Sequence, residues 1–192
     1  MTMIDHGAAT ARMTELLAGV TDAQLTAPTP CANYQLGDLI EHIGTLALAF
    51  TQAAGKQPSD DLVPDGDAAR LEPDWRTTIA AQLGELAVAW RDPAAWTGMT
   101  KAGGLDMPAE MAGQVTLNEL VVHGWDVARA TGQDYLATDA EVAAALIFVE
   151  PFSGPEGTEG LFGPAVAVAG DAPPLDRLLG LSGRDPRWVP AG

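Results

Sequence analysis

A glutamate and a histidine lie four residues apart in an otherwise apolar stretch of this chain. Residues 116–132 read TLNELVVHGWDVARATG, and Glu119 and His123 share one face if this segment is helical. The pair has two interpretations: an exposed ion pair worth about 0.2–0.5 kcal/mol, or two ligands of one metal ion. The apolar residues on both sides of the pair argue against full exposure.

A second histidine, His42, borders the apolar stripe of another segment with helical spacing, LIEHIGTLAL. The pattern alone favours a hydrogen-bonded core histidine over a ligand. If the two helices are neighbours in a bundle, however, His42, Glu119 and His123 project into one interhelical cavity. Two imidazoles and a carboxylate suit a divalent cation such as Zn²⁺ and leave one tetrahedral position open. Because Glu-x-x-x-His also occurs by chance on helices, spacing leaves both interpretations open.

Two further residues are weaker candidates for chemistry. His6 lies near the N-terminus, where helices fray, and we expect it to be a solvated surface residue. Cys31 stands in a loop next to a proline with no His, Lys or Arg nearby in sequence to lower its pKa. That setting favours a small packing residue over a nucleophile or a fourth metal ligand.

Polar neighbours of the two helical histidines have both a structural and a functional interpretation. Asp38 precedes His42 by four residues and Asp126 follows His123 by three. Either carboxylate could orient an imidazole ring by accepting a hydrogen bond from the ring nitrogen that does not face the metal. A solvated carboxylate on the helix surface is the alternative for each. For Arg129 we expect an external salt bridge rather than an anion-binding role.

Apolar stripes at helical spacing define the elements that must position these residues. They predict five helices, at about 5–18, 36–54, 73–91, 108–131 and 138–150. Gly19 and Gly132 are predicted to end the first and fourth helices, and Thr138-x-x-Glu141 is a capping box at the start of the fifth.

The segments between and after these helices are predicted to be mostly irregular. Residues 55–72 read as a mobile polar loop, and the segment 94–109 contains a Gly-Gly turn that fits either a small hairpin or a loop. The tail from residue 151 is predicted to hold one short helix around 175–181, with the rest extended over the bundle or poorly ordered. The chain is therefore expected to be one all-α domain, 1–192.

Composition excludes several classes of partner. The chain has 26 acidic and 10 basic residues, for a net charge of −16, and such a surface repels nucleic acids and anionic membranes. It contains neither an apolar run long enough to span a bilayer nor a signal-peptide pattern at its N-terminus. With a single cysteine, these features predict a cytoplasmic protein.

Four segments resemble a known bacterial family. They are LLAGVTDAQLTAPTPCANYQLGDLIEHIGTLALAF, PDWRTTIAAQLGELAVAWRDPAAWTG, LNELVVHGWDVARATGQ and FGPAVAVAGDAPPLDRLLGLSGRDP. The most specific elements are PTPC, GDL, the histidine of EHIG, and NELVVHGWDVARATG. Together they resemble metal-binding proteins of the DinB-like superfamily and are similar to the metal-binding N-terminal domain of mycothiol-dependent maleylpyruvate isomerase. The resemblance covers nearly the whole chain.

The resemblance carries its own expectations. It implies a DinB-like four-helix bundle with extra short elements and an extended tail, and it places the metal ligands on His42, Glu119 and His123. The metal would be zinc, with nickel or another divalent ion as alternatives. The implied function is transfer or isomerisation of a small electrophile with a low-molecular-weight thiol such as mycothiol or bacillithiol as cosubstrate.

Two other functions stay open at this point. One is a non-catalytic metal- or ligand-binding protein, for which a homodimer is one arrangement, and the other is a metal-dependent hydrolase using bound water. The full isomerase also has a sterol-carrier-like C-terminal domain, for which residues 151–192 are too few. We therefore do not expect maleylpyruvate isomerisation itself.

Overall fold

The computed structural model describes residues 3–57, 65–158 and 161–190. Within these ranges the chain forms α-helices and one two-stranded antiparallel sheet. The elements in chain order are α1 (Gly7–Ala18), α2 (Leu36–Ala54), α3 (Trp75–Ala89), β1 (Met99–Ala102), β2 (Leu105–Pro108), α4 (Ala109–Thr131), α5 (Asp139–Val149) and α6 (Pro174–Leu181). The helices predicted from apolar spacing are confirmed to within two residues at each end, and the predicted helical bundle is confirmed with them.

The first four helices form the bundle. Helix α1 packs against α3 and α4, and α2 packs against the same two helices, so each helix of the bundle touches two others. Helix α4 is the most buried element, and α5 lies on its outer side with α6 packed behind. The apolar stripes of α1–α4 therefore meet in one interior, into which side chains from all four helices project.

Local sequence sets the ends of the later helices. Gly132 ends α4 with φ of +72°, a left-handed conformation that glycine adopts without strain, and its N–H reaches the carbonyl of Ala128. The predicted capping box starts α5: the Thr138 hydroxyl accepts from the N–H of Glu141, and the Glu141 carboxylate accepts from the N–H of Thr138.

The segment before α4 is a hairpin, the first of the two predicted alternatives. Gly103 and Gly104 connect β1 and β2 with φ values of +57° and +78°, as a two-residue hairpin turn requires. The Thr100 hydroxyl donates a 2.7 Å hydrogen bond to the carbonyl of Ala53 at the end of α2. The hairpin thus closes one end of the bundle.

His6 is not the solvated residue that its position near the N-terminus predicted. It is fully buried, with Nδ1 3.0 Å from the Ile4 carbonyl and Nε2 3.1 Å from the Gly113 carbonyl. Its ring stacks on Trp90 at 5.7 Å between centroids. The prediction was wrong because Gly113 of α4, which has no side chain, lets aromatic rings and the start of α1 approach closely.

The loop at 55–72 and the tail from residue 151, both predicted to be mostly irregular, pack against the bundle in the parts that the structure describes. Part of the predicted mobile loop, 58–64, lies outside the described residues, but residues 65–71 lie against α2. There the N–H of Gly66 contacts the Tyr34 hydroxyl, and Arg70 makes two hydrogen bonds, 3.0 and 2.7 Å, to the Glu41 carboxylate. The tail contains the predicted short helix as α6, and Arg184 beyond it is buried.

No helix in the described ranges is both long enough and apolar enough to cross a membrane.

Candidate metal centre

The three predicted ligands converge between α2 and α4. Ring nitrogens of His42 and His123 and a carboxylate oxygen of Glu119 all lie within 4.8 Å of one another. Their meeting follows from the packing of α2 against α4, with His42 on the second turn of α2 and the other two residues one turn apart on α4. The rings of His42 and His123 meet edge to face at 5.3 Å between centroids.

His123 is held at both of its nitrogens. Nε2 lies 2.9 Å from the Glu119 carboxylate, and Nδ1 lies 2.9 Å from the Asp126 carboxylate. Asp126 is completely buried and is itself paired with Arg184, whose Nη2 lies 3.0 Å from the same oxygen that contacts His123. With Nδ1 tied to a carboxylate, Nε2 is the nitrogen directed at the three-residue cluster.

Charge is distributed unevenly over the cluster. Burial and the adjacent His123 lower the pKa of His42 to about 4, so this ring is neutral at pH 7. Burial also opposes charge on His123, but Glu119 and Asp126 outweigh it and raise its pKa to about 9. Burial opposes ionisation of Glu119 as well, yet His123 keeps the pKa of that carboxyl below its usual value. Without a metal, the cluster is thus a neutral imidazole beside an ion pair.

The cluster has the chemistry that a divalent cation requires. Nδ1 of His42 is buried without a hydrogen-bond partner, an arrangement that costs stability unless another partner supplies the missing interaction. A cation would also take the place of the proton between Glu119 and His123, since metal ligands must be deprotonated. Two nitrogens and one oxygen form the donor set of open, catalytic zinc sites. The residues present therefore fit a metal of this class.

Cys31 lies closer to the cluster than its sequence suggested. Its sulfur belongs to a second group of potential ligand atoms, with His123 and Asp126, all within 4.8 Å of one another. Burial raises the pKa of the Cys31 thiol to about 11, although Arg184 opposes the rise. At neutral pH and without a metal, this side chain is a protonated thiol, which is a poor nucleophile.

Of the two aspartates that were candidates for orienting the imidazoles, only Asp126 does so. Asp38 accepts hydrogen bonds from the backbone N–H groups of Gln35 and Ala68, at 3.2 and 2.9 Å, and thus caps α2 and anchors the segment after the loop. Among the residues that the structure describes, Arg129 has no carboxylate partner for the expected salt bridge. Its guanidinium donates to the carbonyl oxygen of Trp188 in the tail.

Arg184 is the member of this site that sequence reasoning missed. It follows α6 in SGRDP, fifty-eight positions after the Asp126 that it contacts, and no periodicity connects the two residues. Its guanidinium also donates to the carbonyl of Ser182 at 2.7 Å. A single arginine in a Gly- and Pro-containing segment carries no sequence signal of burial.

An apolar cavity begins at the cluster and runs into the bundle. It has a volume of about 20 Å³. Its polar end is formed by Glu119 and His123, and its walls come from all four helices of the bundle: Met13, Ile43, Leu46, Ala47, Phe50, Leu83, Leu86, Thr116 and Leu120. The Thr116 hydroxyl is occupied by a 2.7 Å hydrogen bond to the Ala112 carbonyl.

Comparison with known proteins agrees with this architecture. The family model described as mycothiol maleylpyruvate isomerase N-terminal domain matches residues 6–128. Two curated relatives from strains of Mycobacterium tuberculosis, the uncharacterized proteins Rv0738 and MT0763, are each 30% identical over 194 residues. The alignment covers 96% of this chain and 98% of each relative.

Solved structures with the same fold are those of mycothiol-dependent maleylpyruvate isomerase. That enzyme aligns with a TM-score of 0.56 at 18% identity, and a histidine-to-alanine variant of it aligns with 0.57 at 17%. Each alignment covers 77% of this chain and 66% of the other, so this chain spans just under two thirds of the isomerase. Likeness at this identity shows the fold alone. The family model matches well over half of the chain, and the protein therefore belongs to the mycothiol maleylpyruvate isomerase N-terminal domain family.

Proposed function

We propose that this protein binds a divalent metal ion, zinc in the first instance, through His42, Glu119 and His123. In this proposal it uses the ion to join a low-molecular-weight thiol such as mycothiol to a small electrophile. The observation that carries the proposal is the convergence of three ligand atoms within 4.8 Å in a family whose solved member is mycothiol-dependent. The missing partner of His42 Nδ1 supports it as well.

A bound divalent cation would lower the pKa of a thiol that reaches it, so that the sulfur is a thiolate at neutral pH. The side chains of the cluster are already in a state that can bind a cation. His42 is neutral at pH 7 and offers a nitrogen lone pair without first losing a proton. Asp126 fixes the orientation of the His123 ring, so that little reorganisation is needed.

Access to the site is on the side of Glu119 and His42, which are both partly exposed. Glu119 keeps 23% of its side chain exposed, whereas His123 keeps 8%. A soluble thiol enters there, and its proton leaves there to water. The sulfur lone pair then forms a carbon–sulfur bond, and the leaving group of the electrophile departs with the electrons of the bond that breaks. In an isomerisation, the carbon–sulfur bond would break again and return the thiol.

The nucleophilic sulfur comes from outside the chain in this proposal. Cys31 is the single cysteine, and its raised pKa keeps it protonated at neutral pH. Its position beside His123 and Asp126 makes it the obvious internal competitor, and any test of the thiol must separate the two sulfurs.

Cobalt substitution provides that test. Cobalt-loaded protein should develop a thiolate-to-cobalt charge-transfer band in the near ultraviolet when mycothiol is added. Cys31→Ser should retain the band, since the added thiol supplies the sulfur. Absence of the band at millimolar mycothiol, with cobalt shown to occupy the site, would mean that the thiol chemistry is wrong.

One observation favours a second candidate, a non-catalytic metal-binding protein. The free volume beside the cluster, about 20 Å³, is small for a substrate. The two candidates differ in turnover: an enzyme consumes a test electrophile with mycothiol, and a chelator abolishes the reaction. A binding protein holds the metal but gives no rate above the uncatalysed reaction.

A further inference from the structure

The cavity at the cluster combines one ionic end with walls that are otherwise apolar. Glu119 and His123 form that end, and the Thr116 hydroxyl is already bonded to a backbone carbonyl. The deepest wall residues, Leu83 and Leu86, are no more than 2% exposed. A group that enters from the cluster therefore meets hydrocarbon and no free hydrogen-bond donor of these side chains.

The cavity offers no positive charge away from the cluster. Of the described residues that line it, none is a lysine or an arginine. The buried cation nearby, Arg184, is bound to the Asp126 carboxylate and to the Ser182 carbonyl. A carboxylate placed in the cavity would lose its hydration without gaining a counter-ion, which is strongly unfavourable. The adjacent Glu119 carboxylate would repel it further.

The volume of the cavity limits what it can hold. A cavity of about 20 Å³ has room for a water-sized group and suits a chain of only a few heavy atoms. A small hydrocarbon group gains by leaving water to contact these apolar walls. Leu46, which is half-buried, is the wall residue placed to yield to a longer chain.

We infer that this cavity binds the electrophile that the thiol attacks. It takes a short, uncharged alkyl group of that small molecule. Carboxylate-bearing electrophiles are excluded from it. The inference rests on the proposed function in one respect, which is that the reacting end of the ligand lies at Glu119 and His123. The preference for a neutral alkyl group rests on the cavity alone.

A matched pair of probes separates neutral from charged ligands. 1-Chloropropane and 3-chloropropionate share a chloromethyl group at one end. At the other end, the first has a methyl group and the second a carboxylate. Both are titrated into methyl-labelled protein, metal-free and zinc-loaded, and followed by NMR. In the metal-free form, 1-chloropropane should shift methyl signals of Ile43, Leu83 and Leu86 and bind at least tenfold more tightly than 3-chloropropionate. Its methyl shifts should persist in the zinc-loaded form.

Substitutions locate the binding in this cavity. Ala47→Leu fills the space and should weaken 1-chloropropane binding at least tenfold, whereas Ala81→Leu on the exposed face of α3 should not change it. Because Ala47→Leu can disturb folding, Leu46→Ala provides a second variant. It should retain the preference for neutral ligands and extend tight binding to 1-chlorohexane.

The outcomes separate this inference from the proposed function. Equal or tighter binding of 3-chloropropionate to the metal-free protein, no methyl shifts with 1-chloropropane, or unchanged 1-chloropropane binding in folded Ala47→Leu would overturn the inference. If 1-chloropropane binds the metal-free protein more tightly than 3-chloropropionate but zinc does not bind, the preference of the cavity for neutral groups stands and the metal proposal fails. If zinc and mycothiol bind but the probes show no preference, the inference alone fails.

Discussion

At the scale of single residues, His123 is positioned by a chain of buried charges. Asp126 is 0% exposed, and its two partners are His123 and the tail residue Arg184. A carboxylate buried this deeply is tolerable only because it is paired, and it in turn holds the imidazole ring. The position of a candidate ligand thus depends on a residue from the far end of the chain.

Arg184→Met should therefore destabilise the protein strongly. It leaves the Asp126 carboxylate buried with one partner removed, a change that costs about 3–5 kcal/mol of unfolding free energy in comparable buried pairs. Arg187→Met, which removes an exposed partner of Asp185, should leave urea unfolding unchanged within error. Similar unfolding midpoints for the two variants would show that the buried pair is not needed for stability.

Cys31 should react slowly with iodoacetamide at pH 7. Burial raises the pKa of its thiol to about 11, and only the thiolate attacks the reagent. The alkylation rate, measured by mass spectrometry under native conditions, should therefore keep rising as the pH approaches 11. A rate that levels off below pH 9 would mean that the Cys31 thiolate is stabilised and that this residue competes as the nucleophile.

At the scale of elements, the helices and the shared face of Glu119 and His123 were predictable from spacing, whereas only the family resemblance assigned His42 to the cluster. Apolar spacing defined α2 and α4, and the Glu119–His123 spacing placed two side chains on one face. The burial of His6 and Arg184 was not predictable, because each depends on contact with a distant helix. His6 is buried because Gly113 permits close approach, and Arg184 because Asp126 is already buried.

The sequence also did not predict that residues 65–71 pack against α2. Gly66 lies so close to α2 that a Cβ there would be 2.2 Å from the Asp38 carbonyl oxygen and 3.0 Å from Cβ of His42. Gly66→Ala should therefore push the segment off α2 and lower the unfolding free energy by about 1–3 kcal/mol.

Gly84→Ala is the matched control, measured by the same urea unfolding. A Cβ at Gly84 would meet nothing within 4 Å, and the residue is inside α3. Alanine there should stabilise by roughly 0.5–1 kcal/mol through helix propensity. The two substitutions should thus have opposite signs, and a stabilising Gly66→Ala would refute the close packing against α2.

At the scale of the whole molecule, we expect the core to form without a metal. Large apolar residues from α1 to α6 are buried in one cluster, unlike a zinc finger, in which the metal replaces the core. Chelation should therefore lower the melting temperature, as loss of any ligand of the native state does, and leave the helical circular dichroism intact. Loss of the helical signal on chelation would show that folding requires the metal.

The central claim is that His42, Glu119 and His123 bind one divalent ion, and metal content tests it most directly. Zinc-loaded wild-type protein, dialysed against metal-free buffer, should retain about one ion per chain, as three protein ligands permit. His42→Ala, Glu119→Gln and His123→Ala should each lose most of it while remaining helical, and Glu110→Gln on the same helix should retain it. Full zinc retention by the three folded ligand variants would contradict the assignment.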